Sequence, residues 1–215
     1  MVNMIHPFPY IPEIAHINRV STFKNVWELC KFVFSTAIWT KTPFDPAVIN
    51  DLENNSKVDY FYKKFRSREI GGWCGLNSEF LQCLLTGYEI KNQIYNHGIS
   101  NGGFTHVMNR VYIEGAEYLF GPYFCRYYAD LKGNPLDFDD LKSLIKNKEY
   151  EEITIIYGGD QISKPVYSGN KISMMSPLAF ETLELQGLYN SGLLKILKKK
   201  FNDENLLNLL LIEIV

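Results

Sequence analysis

The sequence predicts an α+β fold. Three observations carry that expectation. Helical patterning comes first along the chain, a meander of alternating β-branched segments with tight-turn residues follows, and there is neither a βαβ alternation nor a phosphate-binding glycine loop. With 215 residues, 46% hydrophobic and 14% aromatic, the chain has the apolar material for one sizeable core and is not of disordered composition. One compact domain overall is expected, made of an N-terminal arm and helical segment (1–65), a core (66–160) and a C-terminal helical segment (161–215).

The first 20 residues, with Pro7, Pro9 and Pro12, read as an extended arm lying on the body. Over Asn25 to Ile38, Val26, Leu29, Cys30 and Val33 recur three or four apart, the period of a helix with one buried face. Thr42-Pro43-Phe44-Asp45-Pro46 breaks it. A polar stretch, Asn50 to Lys57, leads to Asp59–Arg68, read as a loop or short helix. The segment from Gly71 to Gly87 reads as a glycine turn, a helix and a glycine stop. Leu76, Phe80 and Leu84 form its buried stripe, Leu81 and Leu85 widen it, and Gly87 stands just past its end.

Glu89 to Tyr95 is predicted as a strand and Asn96 to Gly103 as a loop. Phe104 to Ile113 and Ala116 to Phe124 are then two strands of a hairpin turning at Glu114-Gly115. Counting back from that turn, Tyr112, Arg110, Met108 and His106 share one face. Glu117, Leu119, Gly121 and Tyr123 share it from the return strand, with Tyr123 opposite His106. Leu136 to Lys146 is a short amphipathic helix with an acidic start, and Ile153 to Tyr157 a further strand. Ser176-Pro177 opens a last helix towards Lys199, and the apolar tail Leu206–Val215 is assigned to packing or a subunit contact.

Charge and cysteine usage narrow the chemistry. A net charge of -2 gives no broad positive field, so nucleic acid is not an expected partner. Lys198-Lys199-Lys200 reads as a solvated helix end. The four cysteines have no CxxC spacing and no histidines at zinc-ligand intervals, so neither a metal nor another cofactor is expected. The thiols are read as reduced and the compartment as cytoplasmic, since Met1–Tyr10 lacks the pattern of a signal peptide. No apolar run reaches the roughly 18 to 20 residues of a membrane span, so no membrane association is expected. Nothing in the sequence bears on oligomeric state.

Cys74 stands out among the thiols. A thiolate is stabilised at a helix N-terminus by unpaired backbone N–H groups and the positive dipole end. Gly71-Gly72 lets the chain turn into the helix, and Gly75 leaves room beside the sulfur. The Cys74 N–H is placed to donate to an oxyanion formed when the sulfur attacks a carbonyl. Cys83, mid-helix, reads as a packing thiol, as do Cys30 and Cys125. His106, about 30 residues on and on a strand, is the expected proton partner; His97 falls in a loop, and His6 and His16 in the arm.

Gly-Gly-Trp-Cys74-Gly opening an apolar helix resembles the cysteine motif of the transglutaminase-like superfamily. So does Thr105-His106-Val107-Met108-Asn109-Arg110-Val111-Tyr112-Ile113, followed by a turn and Tyr118-Leu119-Phe120. Gly121-Pro122-Tyr123-Phe124, then Asp130-Leu131-Lys132-Gly133-Asn134-Pro135-Leu136, looks like the bacterial branch, whose triad strand ends in Asp-Pro. The resemblance covers Arg66 to Ile145. It implies a papain-like α+β fold and cysteine acyl transfer through a thioester. The substrate would be a small molecule or a peptide amide, with water or an amine as acceptor. Gly-Gly-Trp-Cys is also similar to arylamine N-acetyltransferases. Trp39 lies where transglutaminases place an indole that helps the oxyanion, and Trp73 would wall the cleft.

One departure matters: the family's triad Asp is Gly121 here. A carboxylate there would orient the histidine and stabilise its cation. Three readings stay open. Cys74 and His106 work alone or with water; Tyr123 holds the imidazole through its hydroxyl; or catalysis is lost and the cleft only binds. Asp130 or Asp137 folding back is a further route.

Overall fold

In the computed structural model, residues 6–37, 52–98, 105–147, 149–159, 164–168 and 171–175 are described. Helix α1 spans Phe23–Thr36 and starts where Thr22 can cap it, its hydroxyl accepting the Asn25 N–H at 3.3 Å. Its buried face carries Val26, Leu29, Cys30, Phe32 and Val33. Helix α2 spans Asn54–Arg66, so the segment read as a loop or short helix is a helix of 13 residues. Val58, Phe61 and Phe65 supply its buried face, and an Asp59–Lys63 pair at 2.7 Å bridges one turn of it.

Helix α3, Cys74–Gly87, packs against both. Its predicted stripe is buried: Leu76, Phe80, Leu81, Leu84 and Leu85. The Phe80 ring sits among Phe32, Phe61 and Phe65 at centroid distances of 5.9, 5.4 and 5.7 Å.

The end of α3 corrects the glycine reading. Gly87 is the last helical residue, and the left-handed position past the end is Glu89, with φ 63. Its N–H bonds the Thr86 carbonyl at 2.9 Å, and the Ile90 N–H bonds that of Leu85 at 2.8 Å, the pairing of a Schellman motif. Glycine is needed at 87 for a different reason. A Cβ there would stand 2.2 Å from the Phe8 ring.

The N-terminal arm is therefore inserted and not merely laid on the surface. It contains a 3-10 turn, Pro12–Ile14, and Phe8, Ile11, Ile14 and Ile17 are buried. His6 ties it down. Its Nδ1 accepts the Phe8 N–H at 3.1 Å, and its Nε2 lies 3.0 Å from the Ile14 carbonyl and 2.7 Å from the Tyr88 hydroxyl. The Tyr88 hydroxyl donates to the same carbonyl at 3.1 Å. A neutral imidazole protonated on Nε2 satisfies all of these contacts.

Five strands form one sheet in the order β1 (Asn92–Gly98), β2 (Thr105–Ile113), β3 (Ala116–Gly121), β4 (Arg126–Ala129) and β5 (Thr154–Tyr157). With four α-helices among the described residues this is an α+β architecture. The β2–β3 hairpin turns on Glu114 and Gly115, φ 51 and 94, the two positive values of a type I′ turn. The antiparallel register pairs Tyr112 with Glu117 and Arg110 with Leu119, the predicted face partners.

The return strand stops sooner than predicted. It ends at Gly121, because Pro122 has no N–H for the ladder and residues 122–125 form a turn closed by Cys125 at φ 49. The chain re-enters the sheet as β4, antiparallel to β3, with Gly121 paired to Arg126 and Phe120 to Tyr127. Tyr123 thus sits in the turn and not on a strand facing His106. A second antiparallel hairpin, β6 (Lys164–Ser168) with β7 (Lys171–Met175), lies within 161–215, the segment expected to be helical.

The chain divides into two compact units. One comprises Met1–Tyr95, Met108–Tyr127 and Tyr157–Gly159, and the other Asn96–Val107, Tyr128–Ile156 and Asp160–Val215. In the first, Phe23 and Trp27 of α1 meet Phe120 and Tyr127 of the sheet, with Phe23 4.9 Å from Phe120 and Trp27 4.9 Å from Tyr127. In the second, helix α4 (Phe138–Asn147) is capped by Asp137, whose carboxylate accepts the Asp139 and Asp140 N–H groups at 3.0 and 2.8 Å. Among the described residues no helix is long and apolar enough to cross a membrane. Trp39, the break at 42–46, the helix expected from Ser176 and the tail from Leu206 lie outside the described residues.

Candidate active site

Cys74 is the first residue of α3. Trp73, the N-cap, is extended (φ -90, ψ 163) and makes no side-chain cap bond; its carbonyl takes the first helical hydrogen bond, from Asn77 N–H at 2.8 Å. By helix geometry the N–H groups of the first turn lie outside the helix's own hydrogen-bond ladder. Cys74 is thus at the positive end of a 14-residue helix.

The glycines before the cysteine work differently from the sequence expectation. Among the described glycines, positive φ is confined to Gly115 and Gly133, so no left-handed turn leads into α3. Gly72 is there because backbone passes too close for a side chain. A Cβ would lie 2.3 Å from the Ala37 carbonyl oxygen and 2.6 Å from Asn77 Oδ1. At Gly75 nothing lies within 4 Å of where a Cβ would be, outside its chain neighbours and the helix's own backbone.

The four thiols separate cleanly. None is in a disulfide, and Cys74 alone of them is not buried. Burial pushes the Cys83 thiol up to about 12, with Glu79 adding to the effect and Lys57 opposing it. Cys30 is raised well above the ordinary range by burial and then by its contact with the Cys125 thiol. Both remain protonated, unreactive packing groups near neutral pH.

Tyr123 is 1% exposed, and its ring lies 5.0 Å from that of Phe124. Its hydroxyl is pushed well above the usual tyrosine range, first by burial and then by the charge of Cys74. Tyr123 is thus a protonated hydroxyl within electrostatic reach of the sulfur. Both belong to the first unit. His106, the second residue of β2, is buried and belongs to the other unit. Trp73 is half-buried and packs against the core.

Gly121 leaves a space that a buried arginine fills. A Cβ at 121 would stand 3.0 Å from Met108 Cε, 3.3 Å from Arg126 Cγ and 3.5 Å from Arg126 Nε. Arg126 is 0% exposed, and its guanidinium carbon lies 5.3 Å from the Phe124 ring centroid. Its signal in the sequence was a lone charge inside the apolar run Phe124-Cys125-Arg126-Tyr127-Tyr128. Asn77, Ser78 and Asn109 are further buried polar residues, and Asn109 Nδ2 donates to the Ser78 carbonyl at 2.9 Å, fixing β2 to the start of α3.

The two aspartates considered as substitutes for the missing acid are engaged locally. Asp130 Oδ1 accepts the Lys132 and Asn134 N–H groups, both at 2.8 Å, and Oδ2 accepts Asn134 Nδ2 at 2.9 Å. Asp137 caps α4. Among the described residues there is no cluster of three or more His, Cys, Asp or Glu side chains that would hold a metal ion.

No family model matches the sequence, and no curated protein matches it. Among solved structures, a chain described as "a Putative Cysteine Protease from Cytophaga hutchinsonii" is similar over 80% of this chain and 49% of its own, at 12% identity and a TM-score of 0.40. The present chain spans about half the length of that structure. A likeness of that depth leaves the functional case to the residues themselves.

Proposed function

We propose that this chain is a cysteine-dependent acyl-transfer enzyme or hydrolase of the transglutaminase-like kind. The observation that carries the reading is the placement of Cys74. It is the one thiol of four that is not buried, it opens a long helix, and the next residue, Gly75, has open space where a side chain would stand. In the proposed reaction the Cys74 thiolate attacks the carbonyl carbon of an amide, ester or thioester. The Cys74 N–H donates to the resulting oxyanion. His106 takes the thiol proton and returns it to the departing amine, alcohol or thiol, which leaves a thioester on Cys74. Water or an acceptor amine then attacks the thioester, giving its proton to His106, and the thiol is regenerated. Trp73 walls the cleft, and Trp39 is proposed as an oxyanion aid. A cytoplasmic, reducing compartment belongs to the same proposal.

A second reading is favoured by Gly121: a cleft that binds without turning over, since the triad carboxylate is missing. Acyl trapping separates the two. Incubation with p-nitrophenyl acetate at pH 7 should leave one acetyl group on the peptide containing Cys74, detected by mass spectrometry. Cys74→Ala should abolish it, and His106→Ala should slow it by about 10²–10⁴. Acetylation no faster than that of a free thiol, and indifferent to His106, would establish the binding-only reading.

A further inference from the structure

Two of the three buried thiols occupy the same spot in the core. Cys30 lies on the buried face of α1, Cys125 closes the turn between β3 and β4, and both are fully buried in one apolar cluster. The Cys30 thiol makes a side-chain hydrogen bond with that of Cys125 and accepts the backbone N–H of Arg126, the next residue. Gly158 marks the place from a third direction. Its N–H donates to the Cys125 carbonyl at 2.8 Å. A Cβ on Gly158 would stand 2.6 Å from Cys125 Sγ, 2.6 Å from Trp27 Cζ2 and 2.9 Å from Lys31 Cγ. Trp27, Cys30 and Lys31 are spaced to share one face of α1, so Cys125 Sγ lies against the face that carries Cys30. All of these residues belong to the first unit.

The position of Cys125 is an uncommon one for this residue type. Its φ of 49 is a conformation that glycine or asparagine adopts more readily, yet a thiol stands there. Cys83 takes no part in the arrangement. It lies along α3, where Asn54 Nδ2 donates to its carbonyl at 3.0 Å and Lys57 is within electrostatic reach.

We propose that Cys30 and Cys125 are a latent disulfide, a modification site that ties α1 to the β3–β4 turn when the chain meets a disulfide oxidant such as glutathione disulfide. The pair is separate from the proposed nucleophile, and the inference does not rest on the reading of Cys74. One of the two cysteines, as thiolate, attacks a sulfur of the oxidant. A mixed disulfide forms and one reduced thiol departs with the proton. The second cysteine then attacks the protein sulfur of that mixed disulfide and releases the second reduced thiol. The protein gives up two electrons and two protons, and the oxidant takes up both as it becomes two thiols. Burial keeps the Cys30 thiol protonated in the folded chain. The exchange therefore runs while this part of the chain is open, and the folded contact holds the bond once it is made. Under reducing conditions the pair stays as two thiols.

The test refolds the full reduced chain from urea at pH 8 in a mixture of reduced and oxidised glutathione. All four thiols are then accessible, and the fold selects the pair. Remaining thiols are blocked with iodoacetamide in urea, and tryptic peptides are read by mass spectrometry before and after reduction. The expected product joins peptide 25–31 to peptide 111–126, each of which holds a single cysteine. Cys83 should be recovered alkylated. The cross-linked protein should have a urea midpoint about 1 M above that of the reduced form, a difference that Cys30→Ala removes. If Cys30→Ala does not fold, the wild-type peptide map decides alone. The proposal is overturned if protein with regained near-UV circular dichroism yields both peptides alkylated or as glutathione adducts. A bond from either cysteine to Cys74 or Cys83 overturns it as well. Cys74→Ala should leave the expected bond in place, which keeps this result apart from any loss of acyl transfer.

Discussion

Single residues here do their work through space that is missing or filled. Gly87 is the plainest case. Adding one methyl group would drive it to 2.2 Å from Phe8, a buried ring of the arm, so Gly87→Ala must expel Phe8. The expected cost is about 1–3 kcal/mol, read as a lower urea midpoint with loss of hydrogen-exchange protection over residues 8–17. A stability change without that loss would mean that the arm does not depend on the contact. The thiols give a second test at this scale. Cys83 and Cys30 are held protonated by burial, so alkylation of native protein at pH 8 should modify Cys74 and leave those two unmodified, while urea should release them. The place of Cys74 at a helix start was legible in the sequence because Trp73-Cys74-Gly75 precedes a strong helical stripe. The burial of Arg126 was not, because it depends on a glycine five residues away being brought opposite it by a turn.

Among the elements, helix α3 was readable almost to the residue, since its leucines and Phe80 recur at helical spacing. Helix α2 was not. Its buried positions, Val58, Phe61 and Phe65, are separated by Asp59, Lys63 and Lys64, and the burial is decided by the partner Phe80 ring. The overrun of β3 has another cause. Tyr123 and Phe124 continue the apolar pattern, but Pro122 and the left-handed Cys125 turn the chain, so hydropathy and backbone conformation point different ways. The β2–β3 turn was legible from Glu114-Gly115, though it is not ideal. Glu114 holds φ 51, a value asparagine tolerates better. Glu114→Asn should stabilise the protein by about 0.5–1 kcal/mol, seen as a raised Tm. An unchanged or lowered Tm would show that the turn is not strained at that position.

For the molecule as a whole, two surface carboxylates make a small contribution to the response to acid. Asn134, through its side chain and then its backbone, holds the Asp130 carboxyl below its ordinary range, and Lys64 does the same for Glu69, with Ser67 assisting. A carboxylate whose folded pKa is depressed lends stability that is fully present above its unfolded value, near 4 for both residue types. That contribution is lost as pH falls through the lower, folded value. Glu69 is exposed and Asp130 partly so, and the effect is therefore small and solvent-screened. Asp130→Ala should therefore be less stable than wild type at pH 7 and converge with it below about pH 3; a constant gap down to that pH would place the effect in packing. Cys74 belongs to the first unit and His106 to the second; the proposed role of His106 is to activate Cys74. The most direct measurement is the rate of Cys74 alkylation at pH 6 in wild type and His106→Ala. Activation predicts that wild type reacts well above a free thiol and that His106→Ala falls towards it. Equal rates in the two proteins, at the level of a free thiol, would contradict it.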